Sequence, residues 1–175
     1  MIVSTQTMPI AGKIGEAQTI RLLAQAGFDA YDLTLNVIDG NPIFEDNYKE
    51  YLASLKAAAD AAGITCNQSH APFETKYGQP FDLSCDTFRN VTRAMEVASI
   101  LGAEQIVVHS VAMPKELTED TEATHAYAME YYRALLPYAE EFGIRIAVEN
   151  LFVRHKEKFV YSGRLNRPDT LSRAV

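Results

Sequence analysis

Short strand-like runs recur along this chain and alternate with longer stretches in which apolar residues have helical spacing. The strand-like runs are residues 2–5, 28–35, 65–70, 105–109 and 145–149. The third run is the most polar, so its assignment as a strand depends on its place in the series. Strands that alternate with helices predict a parallel sheet with right-handed crossover connections.

The gaps between these runs carry apolar residues three or four positions apart, which predicts an amphipathic helix in each gap. Asp82 or Ser84 is predicted to cap the third helix, and Pro137 is predicted to kink or interrupt the fourth. The predicted buried faces are Ala17, Ile20, Leu23 and Ala24; Tyr51, Leu52, Leu55, Ala59 and Ala62; Phe88, Val91, Met95 and Ala98; and Tyr131, Leu135, Tyr138 and Phe142.

Glycines mark the ends of the four helices. Gly27, Gly63, Gly102 and Gly143 stand where the chain needs the left-handed conformation that glycine adopts cheaply. They recur roughly every 40 residues, a period suited to one strand, one helix and their loops. A doubly wound open sheet and a barrel both fit this period. No glycine-rich phosphate motif follows the first strand, which favours the barrel.

We therefore predict an α/β fold of the (β/α)8 TIM-barrel type, with residues 1–175 forming a single domain. A closed barrel of this type has eight units and about 250 residues. The expectation here is a barrel truncated to about five β/α units, whose open sheet edges favour self-association as a homo-oligomer. A complete open-sheet domain is the alternative.

Three of the strand-like runs end in side chains that can bind a metal, namely His70, His109 and Glu149. Active sites of parallel β/α barrels lie where the strands end, at the C-terminal face. We therefore predict that these side chains converge in a metal-assisted active site. The alternative for Glu149 is an exposed carboxylate paired with Arg145 or Arg154.

Composition and charge narrow the range of functions. The chain is 47% hydrophobic and 22% charged, as in ordinary soluble proteins, and its formal net charge is −7. This charge argues against a general nucleic-acid or membrane-surface binder, which would depend on Lys and Arg. Two cysteines and the absence of a long apolar run favour a cytoplasmic protein without disulfides or membrane spans.

Three segments resemble the xylose isomerase-like superfamily of TIM barrels. They are SHAPF at 69–73, VVH at 107–109 and AVENL at 147–151, in the expected order on strands three, four and five. The superfamily includes sugar and sugar-phosphate isomerases and epimerases, inosose dehydratases and endonuclease IV. The resemblance implies one divalent metal held by Glu, Asp, His and Glu from strands five to eight, of which Glu149 is the first.

The resemblance implies a metal-dependent isomerase or epimerase that acts on a sugar, sugar phosphate or polyol. Glu149 would bind the divalent metal (Mn, Mg, Co or Zn) and remove a proton next to a carbonyl. His70 and His109 would bind substrate hydroxyls, a phosphate or a second metal, and Asp32 would hold a sugar hydroxyl. Asn150 would orient the loop or contact substrate. Met8, Phe73 and Phe152 are candidates for an apolar wall of the pocket, and His125 and His155 are predicted to be solvated.

Three other functions remain open. The first is an inosose-type dehydratase, and the second is an endonuclease IV-like zinc hydrolase that uses His70, His109 and Glu149. Against the nuclease, SVAMP at 110–114 replaces the expected Pro-Gly, and the chain is acidic. The third is an inactive barrel fragment that only binds a ligand or self-associates.

Overall fold

A computed structural model describes residues 1–36, 38–73, 83–110, 121–150, 152–153, 161–162 and 171–173. The strands are β1 (Ser4–Gln6), β2 (Ala30–Thr34), β3 (Thr65–His70), β4 (Gln105–Val108), β5 (Arg145–Val148), β6 (Phe152–Val153) and β7 (Tyr161–Ser162). The helices are α1 (Met8–Ile14), α2 (Glu16–Gln25), α3 (Tyr48–Ala62), α4 (Asp86–Ile100) and α5 (Thr121–Phe142), and a 3₁₀ turn spans Pro42–Phe44.

The first five strands form one parallel sheet in the order β1-β2-β3-β4-β5. Each strand therefore lies beside its predecessor, and a helical connection separates each pair. This arrangement confirms the predicted α/β architecture. The two short strands β6 and β7 pair antiparallel in a separate sheet, which the sequence pattern did not predict.

Several local predictions are corrected by the structure. The short helix α1, between β1 and α2, was not predicted. The residue that caps α4 is Cys85, without a side-chain hydrogen bond, rather than Ser84, and Asp82 lies outside the described residues. Pro137 does not interrupt α5, which continues to Phe142. The buried neighbour Leu135 packs in the core, and helix stability in proteins comes mainly from such packing.

The core lies between the sheet and the helices. Leu33, Ile106 and Val108 on the sheet are at most 1% exposed, and they meet the predicted apolar faces of the helices. On α3 and α5, for example, Leu55 and Leu135 are fully buried. At the end of α3, Gly63 takes the predicted left-handed conformation with φ of 68°. The periodicity therefore identified which side of each helix faces the sheet.

A β-bulge in β3 determines which of its side chains face the inner side of the sheet, the side away from the core. Tyr31 pairs with Cys66, whereas the next residue, Asp32, pairs with Gln68, so Asn67 is an extra residue. Without the bulge, Cys66, Gln68 and His70 would all point to one face, because side chains alternate along a strand. With it, Cys66 packs in the core, while Gln68 and His70 contact Asp32 on the other face.

None of the helices in the described part of the chain combines the length and apolar composition that crossing a bilayer requires.

Candidate active site

The site begins with a contact between the residues that follow β4 and β5. Val108 and Val148 pair at the ends of these strands, so His109 and Glu149 emerge side by side. His109 Nε2 lies 2.8 Å from Glu149 Oε2. Because a carboxylate can only accept, His109 donates from Nε2. Glu149 is thus paired with His109, whereas Arg145 pairs with Glu104.

His70 and Phe73 complete this edge of the sheet. The rings of His70 and His109 have centroids 5.9 Å apart, and Phe73 packs edge-on against His109 at 4.4 Å. His70 is 9% exposed, whereas Phe73 is 43% exposed. The side chain of Glu149 is 42% exposed. The carboxyl edge of the sheet, here called the mouth, thus offers the exposed carboxylate of Glu149 beside two mostly buried imidazoles. The ring of Phe73 forms an apolar wall there.

Asp32 lies deeper than these residues, on the inner face of β2. It is 5% exposed, and its two carboxylate oxygens contact His70 Nδ1 at 2.9 Å and Gln68 Nε2 at 2.7 Å. Gln105 donates to Gln68 Oε1 at 2.7 Å, and Gln6 Nε2 lies 3.4 Å from His70 Nε2.

Sequence reasoning missed the three glutamines of this chain of contacts. Gln6, Gln68 and Gln105 each lie on a different strand, and glutamine side chains carry no charge that marks a site. What could have identified them is the alternation of side chains along each strand, which places them on the same face of the sheet as the site residues. The bulge hid that signal for Gln68.

The structure also describes two other predicted residues, Asn150 and His125. Asn150 follows Glu149 directly and is exposed. His125 is buried at 8% exposure rather than solvated, because it lies one turn from buried Ala128 and two turns from buried Tyr132 on α5. His155 and the side chain of Phe152 lie outside what the structure describes.

A buried carboxyl lies beside the end of β1. Glu16, the first residue of α2, accepts a hydrogen bond from Thr7 Oγ1 at 3.4 Å. Its other oxygen is buried and has no hydrogen-bond partner among the described residues. Burial raises the pKa of Glu16 to about 7, and the Thr7 hydrogen bond offsets only part of this effect. Folding therefore favours the protonated form of this side chain.

We expect Glu16 to make the protein less stable as the pH rises. A folded-state pKa of about 7, above the ordinary 4.5, gives stability that is fully present below pH 4.5 and is lost as pH rises through 7. The loss should be on the order of 2 to 3 kcal/mol, since one pKa unit corresponds to about 1.4 kcal/mol. Urea unfolding at pH 5 and pH 8 measures it.

Glu16→Gln should remove this pH dependence, because glutamine has no proton to lose. Glu50→Gln is the matched control, since Glu50 lies in the first turn of α3 and is exposed. If Glu16→Gln and Glu50→Gln lose the same stability between pH 5 and pH 8 as the unmodified protein, burial of Glu16 is not the cause.

The described residues offer donor atoms that suit a metal ion but do not form a metal site. In that part of the chain, no group of three or more His, Cys, Asp or Glu side chains is arranged to hold a metal ion. Glu149 and His109 together offer a carboxylate oxygen and an imidazole nitrogen, both of which suit Mn²⁺, Co²⁺ or Zn²⁺. The chemistry of these two donors fits a divalent ion, and two donors alone do not complete its coordination.

The model of the xylose isomerase-like TIM barrel family matches residues 20–173. The chain belongs to this family. Membership accounts for the parallel sheet and for polar residues at the ends of its strands. No curated protein matches the sequence.

Solved structures of low sequence identity share the fold. The 3-keto-D-glucoside 4-epimerase YcjR from E. coli aligns with a TM-score of 0.70 and 15% identity, over 99% of this chain and 63% of its own. An AP endonuclease of family 2 from Brucella melitensis has a TM-score of 0.68 and 16% identity, over 99% and 65%. The D-psicose 3-epimerase of Clostridium cellulolyticum H10, solved with D-tagatose, has a TM-score of 0.61 and 17% identity, over 99% and 60%.

This chain therefore spans between 60% and 65% of the length of these three proteins. At identities of 15% to 17%, the likeness establishes the fold of this family member and leaves its chemistry to be argued from its own residues.

Proposed function

We propose that this protein is a metal-dependent isomerase or epimerase of a sugar or sugar phosphate. The observation that carries the proposal is the pairing of Glu149 with His109 at 2.8 Å, beside His70 at the carboxyl edge of the sheet. A carboxylate that is 42% exposed can reach a substrate and accept a proton from it. The neighbouring solved epimerases support the substrate class.

In this proposal Glu149 removes a proton from the carbon next to the substrate carbonyl and is also a ligand of the metal. His109 donates a hydrogen bond to the carboxylate and so holds it in place. When bound, a divalent ion (Mn²⁺, Mg²⁺, Co²⁺ or Zn²⁺) polarises the carbonyl and stabilises the charge left by the proton. His70, whose ring centroid lies 5.9 Å from that of His109, and Asn150, which directly follows Glu149, are assigned to the substrate hydroxyls.

Phe73 gives the site an apolar side. Its ring packs against His109 and remains 43% exposed. An exposed aromatic face can cover the C–H groups of a sugar, while the hydroxyls face the polar residues of the mouth. The same mixture of one apolar wall and a few polar groups is typical of small-molecule sites.

The proposal is tested by proton exchange with solvent. The full-length protein is incubated with D-psicose, D-tagatose and D-fructose in D₂O, with each divalent ion in turn, and the products are followed by NMR. Deuterium should enter the carbon next to the carbonyl as the epimer forms. Turnover without deuterium from solvent would exclude an exposed carboxylate as the base. A parallel incubation with an inosose tests the dehydratase, which would remove water from it without epimerisation.

The second candidate is a nuclease of the endonuclease IV type. The rings of His70 and His109 have centroids 5.9 Å apart, and His109 contacts the carboxylate of Glu149, an arrangement that favours this function. The structural likeness to an AP endonuclease of family 2 also favours it. The net charge of −7 disfavours it, because DNA affinity depends on basic side chains. Cleavage of a duplex with one abasic site, in the presence of Zn²⁺, tests this alternative.

A further inference from the structure

A continuous set of polar contacts crosses the inner face of the sheet from β4 to β1. Gln105 Nε2 contacts Gln68 Oε1 at 2.7 Å, and Gln68 Nε2 contacts Asp32 Oδ2 at 2.7 Å. Asp32 Oδ1 contacts His70 Nδ1 at 2.9 Å, and His70 Nε2 lies 3.4 Å from Gln6 Nε2. Asp32 is at the centre of this set, since both of its oxygens take part.

The carboxylate of Asp32 sets the direction of the neighbouring hydrogen bonds. A carboxylate only accepts, so His70 donates from Nδ1 and Gln68 donates from its amide nitrogen. The carbonyl of Gln68 then faces Gln105, which donates to it. A neutral His70 that holds its proton on Nδ1 has its lone pair on Nε2, where Gln6 donates.

Burial makes this arrangement costly to change. Asp32 is 5% exposed and His70 is 9% exposed, so water competes little for their polar atoms. A buried carboxylate that loses a donor pays a desolvation cost that is larger than the gain from an ordinary hydrogen bond. The bulge at Asn67 brings Gln68 and His70 onto the face of Asp32, which gives it both donors.

We propose that Asp32 is a positioning residue that acts through His70. It holds the proton of the neutral ring on Nδ1 and the ring in one orientation, and Gln68 in turn orients Asp32. Nε2 of His70 is then a hydrogen-bond acceptor for a substrate hydroxyl, which can replace the long 3.4 Å contact with Gln6. The effect on catalysis rests on the proposed sugar isomerase or epimerase function, whereas the state of the ring does not.

The lone pair on His70 Nε2 also distinguishes between a hydroxyl and a phosphate group of a substrate. A hydroxyl can donate to a lone pair on Nε2. The oxygens of a phosphate monoester dianion only accept and cannot make that bond. The geometry therefore favours an unphosphorylated hydroxyl at His70.

The experiment is ¹⁵N NMR of the histidine side chains in the full-length protein, with His70 assigned by its absence in His70→Gln. Spectra are recorded as the pH is raised to 9. The unmodified protein should show a neutral His70 ring with its proton on Nδ1. A neutral ring with its proton on Nε2, or a ring that still carries both protons at pH 9, contradicts the proposal. Phenyl phosphate added at pH 9, where it is a dianion without a P–OH group, should leave the His70 resonances unmoved, and a shift would contradict the hydroxyl preference.

Two variants test whether Asp32 causes this state. In Asp32→Asn the side-chain oxygen of the new asparagine should accept from Gln68 Nε2. Its side-chain NH₂ group should then face His70 Nδ1, which must accept, so the proton of the His70 ring should move to Nε2. In Asp32→Asn/Gln68→Glu the carboxylate is at position 68 and the amide at position 32. The carboxylate should accept from the asparagine NH₂ group, so the asparagine oxygen should face His70, and the proton of the ring should return to Nδ1. Asp60→Asn, an exposed Asp→Asn change on α3, is the matched control and should leave the ring unchanged.

The kinetic result separates this inference from the proposed function. Asp32→Asn should lower kcat/KM for an epimerised sugar by about 10- to 100-fold, as is usual for a partner that orients a site histidine. The double variant should recover most of that loss. If the double variant restores the ring but not the activity, Asp32 does not act on catalysis through His70. If the unmodified protein has the expected ring but no epimerase activity, the proposed function is wrong and the assignment of Asp32 stands.

Discussion

Replacing Glu149 by glutamine should lower kcat/KM for sugar epimerisation by about 10²- to 10⁴-fold, the usual contribution of a general base. Glutamine has nearly the same shape as glutamate, but its amide cannot take a proton. It also offers a neutral oxygen in place of a charged one, so the affinity for a divalent metal should fall. Steady-state kinetics and metal titration by calorimetry in the full-length protein measure both effects.

Glu104→Gln is the control for this variant. Glu104 is an exposed carboxylate that pairs with Arg145 at 2.9 Å, before β4 begins and away from the carboxyl edge of the sheet. Its replacement should leave both kcat/KM and metal affinity within a factor of two or so. Full activity in Glu149→Gln would remove Glu149 as the base and leave the pairing with His109 without a catalytic meaning.

Replacing Leu135 by alanine should lower the free energy of unfolding by about 2 to 5 kcal/mol, the range measured for buried leucines. Leu135 is fully buried on α5, in the core between this helix and the sheet. The change removes apolar contacts and leaves a cavity that the surrounding side chains fill only in part. Urea unfolding followed by circular dichroism measures the loss.

The next residue along the helix provides a matched comparison. Leu136 carries the same side chain, is 50% exposed, and occupies the same helix. Its replacement by alanine should change the stability by no more than about 0.5 kcal/mol, the usual range for a surface position. Equal losses in Leu135→Ala and Leu136→Ala would mean that α5 does not pack on the sheet as described.

The parallel sheet and the packing faces of its helices were predictable because they depend on local periodicity. Residues such as Leu55 and Leu135 recur at helical spacing, and the glycine that ends α3 was visible in the sequence. The short helix α1 and the pair β6 and β7 were not predicted. Elements of two to seven residues carry too few positions for a period to be recognised.

The meeting of His70, His109 and Glu149 was also predictable in outline, since parallel strands end at one edge of the sheet. The contacts between particular atoms were not. Arg145 lies four residues before Glu149, so the alternation of strand side chains would place both on one face, and the two could have paired. Only the register of β4 against β5 brings it to His109.

The amino-acid sequence by itself determined the repeating strand and helix units, the core face of each helix and the edge at which the candidate residues gather. These depend on the spacing of side chains within one element. Tertiary structure alone decided that Asn67 would be the bulge, that Gln68 and His70 would turn inward, and that Asp32 would bind His70. Such contacts join residues on different strands, and their formation depends on pairing between strands that no local pattern specifies.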